Sequence, residues 1–274
     1  MSDVFNVTMA GLPATGKSTY LVALYIAMMD GKSELKRGNF ADDREYMNDL
    51  STQIYDGVEV GRTLAGSRSS LSLSVETPSG KRGLLVVPDR SGEVWDQLVV
   101  DRVWDESLLK STRESSGICL FINAETFRHD PDLHAVAELD DLYPPAAGSV
   151  PAPAPTSHPE QVKLTDLIQS LIASQPASPT RISVVLSAFD SVVGMNPVQW
   201  IAANAPLLDQ FLRANSPTIN AAFYGVSAQG GRFGDADMTA RIESTEPVDR
   251  AWARDGDGNE CPIEAPMLWA MAEI

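Results

Sequence analysis

Eight consecutive residues, Gly11-Leu12-Pro13-Ala14-Thr15-Gly16-Lys17-Ser18, match G-x-x-x-x-G-K-[ST], a spacing suited to holding a chain of phosphates. Successive backbone N–H groups of such a loop point inward at the phosphate oxygens, helped by the positive end of the helix that follows. Gly11, Ala14, Thr15, Gly16 and Thr19 would contribute backbone or hydroxyl donors. Lys17 would reach the β- and γ-phosphates and Ser18 would place its hydroxyl on a magnesium ion. Pro13 has no N–H, so the other amides must carry the binding.

A second group of residues could complete a triphosphate site. The apolar run at residues 84–87 ends in Pro88-Asp89-Arg90-Ser91-Gly92-Glu93, which puts the Asp89 carboxylate at a strand tip, where it can hold magnesium through a water. D-x-x-G alone is a weak signal, and its place after a strand is what strengthens it.

These residues need elements to position them. Val4–Ala10 is a β-branched, apolar run that ends at Gly11, and Lys17–Met29 reads as a helix. Leu71–Glu76 alternates apolar with polar, residues 78–81 carry turn chemistry and residues 83–87 are apolar throughout, which predicts a hairpin. Residues 118–122, 182–186 and 221–226 are further short apolar runs. Helices are expected at 94 to about 111, at Glu160–Ser174, at 198–213 and at 265–274. Alternation of this kind implies an α/β fold with a mostly parallel sheet covered on both faces. With the G-x-x-x-x-G-K-[ST] loop after its first strand, the expected fold is a P-loop three-layer α/β/α sandwich of about six mostly parallel strands and one antiparallel strand.

A single domain over all 274 residues is expected. It would carry a Pro/Ala-rich insertion at about 129–159 and a polar, acidic one at about 230–262, the latter holding Asp255-Gly256-Asp257-Gly258-Asn259 as a turn between two short strands. Asp255, Asp257 and Asn259 begin like a calcium loop, but Glu260 and Pro266 stand where Gly and Glu are required. His129 and His134 lack zinc spacing.

The net charge of -16 and pI near 4.5 argue against nucleic acid or an acidic membrane as partner. Cys119 and Cys261 are the two cysteines, and no apolar run is long enough to span a bilayer. A reduced, cytoplasmic compartment fits that usage.

Taken in order, the motifs resemble those of the TRAFAC-class GTPases, which include Ras-like proteins and translation factors. That pattern runs from a P-loop through a switch Thr, a β-hairpin and D-x-x-G to an N/T-K-x-D base-reading motif and an S-A-K or S-A-L turn. This chain offers Thr63 before the hairpin, Asp89 to Gly92, then Ser187-Ala188-Phe189-Asp190, then Ser227-Ala228-Gln229. The resemblance implies that Thr63 joins Ser18 and Asp89 at magnesium and that the Gly92 N–H meets the γ-phosphate. It implies that Asp190 accepts from guanine N1–H and its 2-amino group, and that the Ala228 N–H meets the guanine carbonyl. Thr52 and Ser67 are rivals for the switch Thr, and Asp190 and Ser227-Ala228 also suit ordinary turns.

The departures are specific. The Lys whose stem covers one face of the base is Ala188 here, and the Asn before it is Ser187. The residue after D-x-x-G, commonly a water-orienting Gln, is Glu93, whose charge opposes the γ-phosphate and implies slow hydrolysis. The stretch Ile263-Glu264-Ala265-Pro266-Met267-Leu268-Trp269 and the insertions resemble bacterial double-GTPase-type proteins. The expected ligands are therefore GTP or GDP with Mg2+, and the expected partner is a protein effector or co-encoded protein. A P-loop kinase or ATPase is the competing reading, although no late Arg cluster supplies a lid. A binding module that holds nucleotide without turnover is another, prompted by Glu93 and Ala188.

Overall fold

Short apolar runs become strands when both of their faces can be covered. The computed structural model describes residues 4–57, 70–88, 93–128, 158–175, 179–232 and 236–274. Its strands are β1 (Val4–Ala10), β2 (Lys36–Arg37), β3 (Leu71–Glu76), β4 (Arg82–Val87), β5 (Gly117–Asn123), β6 (Thr180–Ser187), β7 (Ile219–Ser227), β8 (Trp252–Arg254) and β9 (Glu260–Cys261). They form one sheet in the order β2-β3-β4-β1-β5-β6-β7-β8-β9. The central five, β4-β1-β5-β6-β7, are parallel, while β3 opposes β4 and β8 opposes β7. Among the described residues the sheet thus has nine strands, where a mostly parallel sheet of about six strands and one antiparallel strand was expected. β2 is two residues long, too short for a side-chain period to register, and backbone pairing at the sheet edge creates it, whereas β8 and β9 are the two short strands expected on either side of the turn at 255–259.

The helices are α1 (Lys17–Met29), α2 (Arg44–Tyr55), α3 (Glu93–Asp101), α4 (Glu106–Arg113), α5 (Glu160–Ser174), α6 (Pro197–Asn204), α7 (Pro206–Ala214), α8 (Ala236–Ser244), α9 (Pro247–Arg250) and α10 (Ala265–Ala270). Strand alternation sorts them into two layers. Cys119 and Phe121 point into a core shared with α1, α2 and α10, whereas Ile118, Leu120 and Ile122 point into one shared with α3, α5, α6 and α7. α1 is buried nearly all round from Tyr20 to Ala27, which explains its weak amphipathicity. Tyr20 stacks at a tilt on Phe121 and donates from its hydroxyl to Ile263 O at 2.7 Å, tying α1 to the approach to α10. Cys119 is a buried filler beside Met267, and burial pushes its thiol pKa up.

Two expected helices are broken. The stretch at 94 to about 111 divides into α3 and α4, because Arg102 turns to φ 54° and Asp105 caps α4 by accepting Leu108 N at 3.0 Å. The stretch at 198–213 divides at Pro206, which lacks the N–H to continue α6 and opens α7 instead. The closing helix stops at Ala270, and Ala272 turns to φ 59°. The acidic region at 230–262 holds α8 and α9 as well as the expected hairpin, whose turn closes with Asp255 N donating to Asn259 O at 2.9 Å. α2 is a further helix beyond those expected, and its buried Met47, Leu50 and Ile54 keep helical spacing.

Candidate functional site

β1 ends at Ala10 and α1 begins at Lys17, so the intervening loop sits at the carboxyl edge of the parallel strands, where open α/β sheets bind ligands. Its two glycines are required by shape. A Cβ on Gly11, at φ 147°, would lie 2.6 Å from Phe121 O, and Gly16 takes φ 79° as it leads into α1. Ala14 also turns left-handed, at φ 59°, a conformation that costs an alanine about 1 kcal/mol. Lys17 is 3% exposed and folds back into the loop, donating from Nζ to Gly11 O at 2.8 Å and Leu12 O at 2.9 Å. Thr15 Oγ1 takes a further bond from Nζ at 3.2 Å and donates to Leu12 O at 2.9 Å. The helical hydroxyls of Ser51, Thr112 and Thr165 fold back on carbonyls four residues earlier. Ser18 and Thr19, both half-buried in the first turn of α1, make no side-chain hydrogen bond among the described residues. The Ser18 hydroxyl is therefore available as a hard oxygen ligand, which suits magnesium.

Two side chains at neighbouring strand ends hold the loop. Ser187, at the end of β6, donates from Oγ to Thr15 O at 2.9 Å, and Asn123, at the end of β5, donates from Nδ2 to Ala14 O at 3.3 Å. Asn123 Oδ1 also accepts from Glu125 N and Thr126 N, at 3.0 and 3.1 Å, which fixes its amide. Sequence reasoning missed Asn123. Its signal was a single polar residue closing an otherwise apolar strand.

After Ser187 the chain makes a tight turn. Ala188 adopts φ 51° and ψ 37°, and Phe189–Ser191 forms one 3-10 turn. Phe189 is buried against β7, where a Cβ on Gly225 would lie 2.3 Å from its ring, so the glycine makes the seat that sets the height of the turn. Asp190 stands half-exposed, with no hydrogen bond among the described residues. Ser227 closes β7, and its Oγ accepts Gly230 N at 3.1 Å, so Ala228 lies in a bend rather than a continued strand. The tips of β1, β6 and β7 thus bring residues 11–19, Ser187, Asp190, Ser227 and Ala228 to one edge of the sheet.

Other expected residues stand apart from this geometry. Thr63, Asp89 and Gly92 lie outside the described residues, as does the rival Ser67 and the region 129–157. Glu93 opens α3, but its side chain lies outside the description. Thr52 lies within α2 and donates to Asn48 O at 3.0 Å. Among the described residues no group of three His, Cys, Asp or Glu side chains could hold a metal, so Ser18 is the described member of the expected magnesium set.

The mostly parallel α/β sheet with a Gly-Lys-Ser loop between its first strand and helix defines a P-loop protein. The chain belongs to the Double-GTPase 1 family, whose model matches residues 8–270. No curated protein matches it. Among solved structures it is similar to a bacterial selenocysteine-specific elongation factor, EF-Sec, at 12% identity and a TM-score of 0.37, over 82% of this chain and 26% of that one. The chain thus spans about a quarter of that factor's length. It is also similar to the Arl6 BBS3 small GTPase from Trypanosoma brucei, solved with the nucleotide analogue GppNp, at 7% identity and a TM-score of 0.41, over 88% and 96% of the two chains. Among the described residues no helix is long and apolar enough to cross a membrane.

Proposed function

We propose that this chain is a guanine-nucleotide switch, a single cytoplasmic domain that binds GTP or GDP, hydrolyses GTP slowly and controls a protein partner, with no nucleic acid or membrane as ligand. The observation that carries the reading is the bond from Ser187 Oγ to Thr15 O at 2.9 Å. It couples the loop built for phosphates to the turn that presents Asp190, so that one ligand with a phosphate chain at one end and a base at the other would touch both.

In this reading Gly11, Ala14, Thr15, Gly16, Lys17, Ser18 and Thr19 hold the phosphates, while Ser187, Asp190, Ser227 and Ala228 read the base. Lys17 would leave the Gly11 and Leu12 carbonyls for the β- and γ-phosphates. Mg2+ would be held by Ser18 with Thr63 and Asp89, and it would neutralise charge on the phosphate oxygens. Gly92 would meet the γ-phosphate and Glu93 would orient the attacking water, its negative charge slowing the reaction. Segments around Thr63 and Gly92 that order on the γ-phosphate would change a partner-binding face.

The test is the base. GTP, ATP and XTP affinities are compared for the parent and for Asp190→Asn. An amide donor at 190 leaves the guanine 2-amino group unpaired, at about 1 to 3 kcal/mol, but suits the carbonyl that xanthine carries there. Preference should move from GTP to XTP. A parent that favours ATP, or a variant that binds GTP as well as before, overturns the reading.

A further inference from the structure

Arg232 lies beyond the end of β7 and forms an ion pair with Glu125, which lies beyond the end of β5. β6 runs between those two strands in the sheet, so partners joined from one side to the other span two strand spacings, about 9.6 Å. The pair therefore bridges the end of β6, where Ser187 and Ala188 lead into the turn that carries Asp190. Both abutments are fixed. Ala124 N donates to Ser187 O at 2.9 Å and Asn123 Oδ1 accepts Glu125 N at 3.0 Å, which set Glu125 beside that turn. On the other side, a Cβ on Gly230 would come within 2.6 Å of Arg250 O, so the backbone two residues before Arg232 is closely packed.

We propose that Arg232, steered by Glu125, stacks on the face of the bound purine that Ala188 is too short to cover. The proposal rests on the reading of Asp190 as the base-binding residue. A guanidinium is planar and cationic, and it stacks on aromatic faces better than an ammonium does. Ala188 offers one methyl group at the head of the turn, where its backbone is left-handed at φ 51°. The Arg232 side chain is 54% exposed and that of Glu125 29%. The guanidinium can thus shift onto a base without leaving a buried charge unpaired, while the carboxylate keeps it over the turn.

The test compares the affinities of GDP and of inorganic pyrophosphate for the parent, Arg232→Ala, Arg232→Lys and Glu125→Gln. Arg232→Ala should weaken GDP about three- to thirtyfold and leave pyrophosphate unchanged. Arg232→Lys should restore part of the loss, and Glu125→Gln should show a smaller one. GDP binding by Arg232→Ala at the parent's affinity overturns the proposal, and so does an equal loss of GDP and pyrophosphate. A parent that prefers ADP to GDP, with Arg232→Ala still weakening the diphosphate against pyrophosphate, overturns the guanine reading and upholds the stack.

Discussion

Ser187 Oγ donates to the carbonyl of Thr15 across 2.9 Å, joining residues that lie 172 positions apart in the chain. Ser187 is 8% exposed, so its hydroxyl has little water to fall back on. The bond makes the phosphate loop and the Asp190 turn one mechanical unit.

Removing that bond should therefore act on ligand binding at both ends. Ser187→Ala leaves the Thr15 carbonyl without its side-chain partner, at a cost of about 1 kcal/mol in the free protein. GTP affinity should fall about tenfold, with pyrophosphate affinity falling alongside it. Calorimetric titration and thermal melting measure the two effects. A variant with parental affinity for both ligands would show that the turn and the loop are held by other contacts.

Lys17→Ala should abolish triphosphate binding while the fold persists. The lysine serves the loop in the free protein by bonding Gly11 O and Leu12 O, so a loss of stability of about 1 to 3 kcal/mol is expected as well. Labelled-nucleotide binding beside a melting curve separates the effects. Retained affinity would remove the phosphate role from the loop.

Glu93 opens α3 and, in the proposed reading, follows the residue that meets the γ-phosphate, so it should govern turnover more than binding. Glu93→Gln keeps the shape and removes the charge, and single-turnover hydrolysis should accelerate about threefold or more with GTP affinity within about twofold of the parent. If Glu93→Gln and Glu93→Ala both hydrolyse at the parental rate, water is oriented from elsewhere.

Acid stability should depend on the far end of the molecule. Burial raises the Glu273 carboxyl pKa, but bonds from Ser79, Lys81 and Thr77 outweigh it and leave the group below the ordinary glutamate value. Its folded pKa is thus lower than its unfolded one. The stability it contributes is complete above the unfolded value of about 4.3 and fades as pH falls through the lower folded value. Lys81 Nζ lies 2.9 Å from Glu273 Oε1, and the lysine side chain is 43% exposed, so the pair contributes no more than about 1 kcal/mol at pH 7. Glu273→Gln should flatten the stability profile below pH ~5, measured by denaturant midpoints across pH. An unchanged acid limb would assign the pH dependence to other carboxylates.

The sequence by itself determined the parts whose causes are local. The residue types at 11–18 specify the phosphate loop, because a side chain at Gly11 would collide with Phe121 O, Gly16 takes a left-handed backbone at no cost in strain, and Lys17 supplies a cation on a long stem. Apolar runs too short for helices specified β1, β5, β6 and β7, since a continuous run implies a strand covered on both faces. Pro206 and Asp105 carried legible break and cap signals, yet the apolar spacing around them kept a helical period and masked both. Only the tertiary structure decided the rest. The edge strand β2 exists because a neighbouring backbone offers pairing, which no side-chain period reports, and the pairing of β8 onto β7 is likewise set by the sheet. Asn123 and Ser187 become loop anchors, and Arg232 meets Glu125, because the sheet order sets three distant strand ends side by side. Contacts between residues a hundred or more positions apart depend on that order, and local propensity has no means of expressing it.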